Sequence, residues 1–404
     1  MSGYVLHVGR LAAPGGVLDD AYLVVEQGRL VSTGTGAPPG TDGPVVDLPG
    51  LLAAPGFIDV HVHGGGGFEV NRPTVAEVSR SVVGMARFHV AHGTTALLAT
   101  TVSDSAEALL TAVEGVADVV LSPDGPGAGA QVLGSHLEGP WIAPSRAGAQ
   151  YPAAIRPPSV SELSSLVARS RGTVRLVTLA PEVPGATEVV RAAASAGVVV
   201  SIGHTDADAD AARAAFDAGA RHVTHLFNAM PPVHHRRPGP VPVALADDRV
   251  FVELIADGVH VHPTVISVVA AAAPDRLVLI TDAIGATGAG PGRYRLGPLE
   301  VLVERDRAVL ADHPETVAGS VLTMDRAVAF AVNSAGVPLE VALRAASLHP
   351  ATVLGETAKG RLAPGADADI VLLDEDLGVA GTIVAGRVAH DPGGLLASLA
   401  GDRG

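Results

Sequence analysis

The chain contains no cysteine. No disulfide can form, and any metal site must be assembled from His, Asp or Glu. Aromatic residues make up only 3% of the sequence, so the core must be built from Ala, Val, Leu and Ile. The formal net charge is −15. Together these two features argue against a nucleic-acid surface of stacked aromatics and basic patches. No apolar run approaches the roughly 18–20 residues of a membrane span. The start, MSGYVLHVGRLAAPGG, lacks a basic segment followed by an apolar one, so no signal peptide is expected. With the missing cysteines, this makes the cytoplasm the expected compartment. Lysine is almost absent as well: Lys359 is the only one.

What is present is ample apolar material, 48% of 404 residues, enough for a sizeable core in one large domain with a smaller companion. The first fifty residues read as short strands broken by Gly and Pro: YVLHVGRL, AYLVVEQGRLVSTG and PVVDLPG. The last fifty read alike, with GRLAPGADADIVLLD and GTIVAGRVAHD. Between them eight apolar, β-branched runs recur: GFIDVHVH, TTALLATT, VLGSHLEGP, VRLVTLAPE, VVVSIGHT, HVTHLFNAM, VFVELIADGVH and LVLITDA. Amphipathic Ala-rich segments such as TVAEVSRSVVGMARFHVAHG and DADADAARAAFDAG separate most of them. Near-continuous apolar strands alternating with helices predict a parallel sheet covered by helices, and eight such units predict a (β/α)8 TIM-like barrel. The expected organisation is a barrel over residues 55–355 and a small discontinuous β-sandwich from residues 1–54 and 356–404.

Barrel enzymes hold their chemistry at the C-terminal ends of the strands. The runs end in His61 and His63, in His136 and Glu138, in His204, in His225 and Asn228, in Asp257 and His260, and in Asp282. A single histidine at a strand end is ordinarily just a satisfied polar residue; so many converging on one mouth is another matter. Imidazoles and carboxylates without sulfur suit a divalent cation, with zinc or iron(II) the natural candidates. His61 and His63 are two apart, so on a strand they share a face and point inward together. The four glycines that follow, Gly64 to Gly67, are expected to bend the loop away and leave room for substrate.

PGFIDVHVHG resembles the opening signature of the amidohydrolase superfamily. HLEGPWIAP, IGHTDA, VTHLFNAM, HHRRPG, IADGVHVHP, LITDA, GSVLTMD and GRLAPGADADIVLLD narrow this. Across essentially the whole chain they resemble its N-acetylglucosamine-6-phosphate deacetylase family. The resemblance implies a metal-dependent, homodimeric enzyme that hydrolyses the N-acetyl group of N-acetyl-D-glucosamine 6-phosphate, giving glucosamine 6-phosphate and acetate, in amino-sugar catabolism or cell-wall recycling. Many other amidohydrolases bridge two metals with a carboxylated barrel lysine. Lys359 follows the eighth run and cannot serve there, whereas Glu138 can bridge.

By the same resemblance Glu138, His204 and His225 match the main metal ligands, and His61 with His63 a second site. One or two divalent ions are thus expected, zinc before iron(II) or another ion. Asp282 matches the catalytic aspartate. Arg236, in HHRRPG, matches a phosphate-binding arginine that reaches the partner subunit's site; Asn228 and the backbone of Ala229 match further phosphate contacts, and His260 a sugar- or phosphate-contacting histidine. Two positions depart. Gln150 stands where the family usually has a histidine, and Arg237 where it has a glutamate. Glutamine carries no charge, so if that histidine orients the sugar, weaker binding or a changed substrate is expected. The alternatives are a deacetylase for another hexosamine phosphate, such as N-acetylgalactosamine 6-phosphate, an amidohydrolase for uncharged N-acyl compounds, or a catalytically silent sugar-phosphate sensor.

Overall fold

Runs of residues apolar on both faces can only be buried between other layers, and the eight runs become the eight strands of one parallel sheet. The computed structural model describes residues 3–40, 43–123 and 125–399. Four strands come first: β1 (Tyr4–Ala13), β2 (Gly16–Glu26), β3 (Arg29–Thr35) and β4 (Val45–Pro55). The barrel follows with β5 (Phe57–Val62), β6 (Thr94–Thr101), β7 (Gln131–Glu138), β8 (Val174–Leu179), β9 (Val199–Ile202), β10 (His222–Val223), β11 (Phe251–Ile255) and β12 (Leu277–Ile280). These pair in chain order from β5 to β12. The circle closes where the N–H of Asp282 reaches the carbonyl of His61 at 2.9 Å and the N–H of His63 reaches that of Ala283 at 2.8 Å. The expected (β/α)8 barrel is the observed one.

Helices cover the barrel because their caps and apolar stripes match. Thr74 caps Val75–Val90: its hydroxyl accepts the N–H of Glu77 and donates to the Glu77 carboxylate. Ser105 caps Ala106–Val120, and Asp208 caps Ala209–Ala218. Their inward residues, such as Leu109, Val113 and Phe216, are fully buried against the strands.

After β12 comes a unit the sequence pattern did not single out. Strands β13 (Gly292–Leu296), β14 (Leu299–Glu304) and β15 (Arg307–Leu310) form an antiparallel sheet with a core of its own around Leu296, Val301 and Val303. Its strands read as weak, half-exposed alternations, and their buried side chains pack against barrel-mouth residues such as Val102 and Ile284.

The chain then returns to the first four strands through β16 (Ile370–Leu373), β17 (Val379–Val384) and β18 (Arg387–His390). Both termini thus build one seven-stranded sheet, in which β16 pairs antiparallel with β4. Its core of Leu6, Leu23, Leu30, Ile370 and Leu372 is separate from the barrel's. Only Gly56 separates β4 from β5, and a Cβ there would stand 2.2 Å from the side chain of Thr95.

Lys359 belongs to this junction. Its ammonium is 2.7 Å from Asp369 and 3.0 Å from Asp367, and it is only 5% exposed. Burial disfavours its charge, but the two carboxylates more than restore it. Replacing Lys359 with Met is expected to cost roughly 3–5 kcal/mol, because Asp369 is left buried without its counter-ion, holding only the N–H of Ala385. Urea unfolding checks this; a cost under about 1 kcal/mol contradicts it.

Candidate active site

The strand ends deliver their polar side chains to one mouth. Asp59 and His61 on β5 and His63, the residue just after it, follow one alternation onto the inner face, and all three are buried. Glu138 ends β7. His204, His225 and Asp282 each stand two residues beyond β9, β10 and β12, and each has a positive φ, of 46°, 27° and 51°. Left-handed backbone at non-glycine residues is costly and collects at functional sites. Ala229, at φ 52°, belongs to the same group.

Glu138 is the centre. Its Oε1 lies 3.1 Å from His204 Nε2, 3.0 Å from His225 Nε2 and 3.4 Å from His61 Nε2; its Oε2 lies 3.3 Å from His63 Nε2. Two donor sets result, Glu138–His204–His225 and His61–His63–Glu138, each with its ligand atoms within 4.8 Å of one another. The fit to a cation can be read from the far side of each ring. His204 Nδ1 is committed to the carbonyl of Arg146 at 2.8 Å, His63 Nδ1 to that of Thr100 at 3.2 Å, and His61 Nδ1 to Glu253 at 3.0 Å. In all three Nε2 is left as the donor facing the cluster, the arrangement that metal-ligating histidines require. Buried imidazoles and a carboxylate, without sulfur, suit a divalent cation.

The electrostatics agree. Burial opposes an imidazolium at His61, yet Glu138, Glu253 and Asp282 outweigh it and raise its pKa well above the usual value. Burial likewise opposes the charged form of His63, and the hydrogen bonds it donates to Asp282 and Glu138 reverse this, to about 9. Glu138 is held well below the carboxylate range by His61 and His204 against the penalty of burial. A negative field strong enough to hold protons on buried imidazoles also attracts a dication.

Asp282 Oδ1 lies 3.1 Å from His63 Nε2 and 3.4 Å from His61 Nε2. Burial pushes its pKa up, but the charge of His61 and the hydrogen bond of His63 bring it below the usual value, so it is a carboxylate at neutral pH. The mouth opens into a cavity of about 250 Å³ lined by Gln150, Asn228, Ala229 and His260, together with Leu296 and Val317 from the segment after β12. Asn228 donates to the carbonyls of His225 and Leu226, both at 3.3 Å. Asp257 grips His260 Nδ1 at 2.7 Å. Gln150 is clamped at both ends. Its Oε1 accepts the N–H of Ser103 at 2.6 Å, which fixes the amide, and its Nε2 donates to Glu138 Oε2 at 2.5 Å.

Two placements differ from the sequence reading, those of His136 and of the glycines after His63; Arg236, read as serving the partner's site, is a separate case. Arg236 is not in this cavity; with His234 and Arg237 it lines a separate, open cavity of about 760 Å³ that also carries Asp206, Asp208 and Asp210. His136 lies deeper in the barrel, bonded to Thr178 at 2.8 Å, and is held neutral by burial and by the charge of His61. The glycines do not clear space for a substrate. A Cβ on Gly64 would meet Phe68 O at 2.2 Å, and Gly66 and Gly67, at φ 62° and 88°, bond to Thr287 and Gly285. They allow close packing against the loop after β12.

Two buried acids escaped notice in the sequence, Asp59 and Glu253. Burial raises Asp59 to about 7, against the hydrogen bond it accepts from Thr281. Glu253 is an acid inside the apolar run VFVELIA. A carboxylate at an inward position of a strand buried on both faces is itself the signal that could have found it.

A barrel with a His-x-His on its first strand, a glutamate on its third and histidines after its fifth and sixth defines a hydrolase class. The chain belongs to the Amidohydrolase family, whose sequence profile matches residues 52–389. Within it, the chain is 42% identical over 351 residues to N-acetylglucosamine-6-phosphate deacetylase of Homo sapiens, covering 85% of this chain and 84% of the relative. It is 38% identical over 387 residues to N-acetylgalactosamine-6-phosphate deacetylase of Escherichia coli O157:H7, covering 96% and 99%. A solved structure of mutant N-acetyl-D-glucosamine-6-phosphate deacetylase from Mycobacterium smegmatis, in complex with N-acetyl-D-glucosamine-6-phosphate, superposes with a TM-score of 0.89. Its identity is 40%, with 96% of this chain and all of that one covered. No helix among the described residues is long and apolar enough to cross a membrane.

Proposed function

We propose that this chain is an N-acetylglucosamine-6-phosphate deacetylase, hydrolysing N-acetyl-D-glucosamine 6-phosphate to glucosamine 6-phosphate and acetate. The observation that carries the reading is one buried carboxylate, Asp282, 3.1 Å from His63 and beside two His/Glu donor sets, at the mouth of a sugar-sized cavity. Glu138, His204 and His225 would hold one cation, and His61, His63 and Glu138 a second. Zinc suits this donor set best, with iron(II) next. A bound divalent cation supplies Lewis acidity, polarising the amide carbonyl and acidifying water.

The protein's own groups do the rest. Asp282 accepts a proton as water attacks the carbonyl carbon, then delivers it to the nitrogen as the C–N bond breaks, so that an amine leaves rather than an amide anion. Acetate and the amino sugar depart and the carboxylate is restored. Asn228, the backbone of Ala229 and His260, held by Asp257, contact the sugar or its phosphate. Arg236, outside its own cavity, serves the partner's site in a homodimer, and its fork suits phosphate oxygens. Replacing Arg236 with Ala is expected to raise KM for the phosphorylated sugar roughly ten- to hundredfold with kcat little changed. Steady-state acetate release by the native oligomer measures this; an unchanged KM removes Arg236 from the site.

The division into a terminal sheet domain (1–54 and 356–404) and a catalytic barrel (55–355) is part of the same reading. The cytoplasm is the compartment that the cysteine-free composition favours.

A second substrate has a specific observation behind it. The galactosamine-phosphate deacetylase matches over 96% of this chain, and Gln150 replaces the usual histidine at the cavity. Acetate release from the two epimeric 6-phosphates, compared at equal concentration, decides between them. The glucosamine epimer is expected to be turned over faster.

A further inference from the structure

We propose that Glu253 is a positioning residue for the metal ligands, orienting His61 as an Nε2 donor and tying that ring to the backbone of His225. The inference rests on the reading of the two His/Glu clusters as a cation site. Glu253 lies on β11 and is completely buried. One of its oxygens, Oε2, does two things: it lies 3.0 Å from His61 Nδ1 and accepts the N–H of His225 at 3.0 Å. It therefore joins a ligand of one donor set to the main chain of a ligand of the other. His225 sits there at φ 27°, a conformation needing outside support.

The neighbouring rings show what is particular about it. His63 and His204 are oriented by main-chain carbonyls, of Thr100 and Arg146. His61 alone among these three is oriented by a carboxylate. An acid accepting Nδ1–H fixes the tautomer, leaves the lone pair on Nε2 and makes that nitrogen more basic. Its Nε2 is the one that faces Glu138 Oε1 and Asp282 Oδ1, each at 3.4 Å.

Stability alone does not account for the acid. Its second oxygen, Oε1, has no hydrogen-bond partner among the described residues, and Nδ1 of His222 stands 3.5 Å away. A half-satisfied buried carboxylate is a cost, and a neutral acceptor would fill the same space. The negative charge beside His61 is what a neutral residue would lack.

The test is a cobalt(II) titration of metal-stripped wild type and Glu253→Gln against a competing chelator, reading stoichiometry and the visible spectrum. Glutamine keeps the shape and one acceptor but not the charge. The ion bound through His61 should weaken about ten- to hundredfold, with the spectrum altered. Equal affinities and spectra in the two proteins overturn the inference, since shape alone would then suffice. A second measurement needs no variant: in the zinc-loaded wild type, 15N shifts of the histidine rings should place the His61 proton on Nδ1, and a proton on Nε2 overturns the assignment. Wild type that takes up no cobalt instead refutes the cation site itself, a separate failure.

Discussion

Replacing Asp282 with Asn is expected to lower kcat for deacetylation by roughly a hundred- to ten-thousand-fold while leaving bound metal in place. Proton transfer by a positioned side chain is worth about that much. Asparagine matches the aspartate in shape and can still pair with His63, but it cannot take a proton from water and return it to the leaving nitrogen. Metal should survive because neither donor set includes Asp282. Activity within about threefold of wild type would remove Asp282 from the chemistry. Loss of metal along with activity would make it a ligand rather than a proton carrier.

Replacing Glu138 with Gln is expected to be more damaging. Glu138 belongs to both donor sets, and its Oε1 lies within 3.4 Å of His61, His204 and His225. An amide oxygen is a far weaker ligand than a carboxylate. The imidazoles also lose the largest charge that offsets their burial. Metal affinity should fall by more than the ten- to hundredfold typical when only a ligand's supporting residue is lost, and turnover with it. Metal analysis after dialysis checks the first effect and acetate release the second. Full metal content in the Gln variant would show that the two sets are not joined through Glu138.

The barrel was legible because each of its strands is buried on both faces. The run LVLI of β12 and the run TTALLATT of β6 have no exposed residue, so hydrophobicity alone marks them. His61 and His63 could be placed together because strand alternation is rigid. His204, His225 and Asp282 are a different case. They stand beyond their strands at positive φ, where no period governs direction, so their convergence on Glu138 follows only from the closed barrel. The sheet of β13 to β15 went unread because its strands are half exposed and take their anchorage from the barrel mouth. Glu253 was hidden inside an apolar run that looked like core. The packing role of the glycines after His63 is not legible, because a close approach to the loop after β12 cannot be seen from either segment alone.

The proposed function makes the buried His/Glu clusters and Asp282 one metal-dependent deacetylating site. Its most direct test is acetate release from N-acetyl-D-glucosamine 6-phosphate by the purified chain before and after a chelator strips it, with metal content measured in each sample. Activity is expected to fall with the metal and to return, in proportion to the ions rebound, when zinc or iron(II) is restored. Undiminished acetate release from fully stripped protein would contradict the metal dependence.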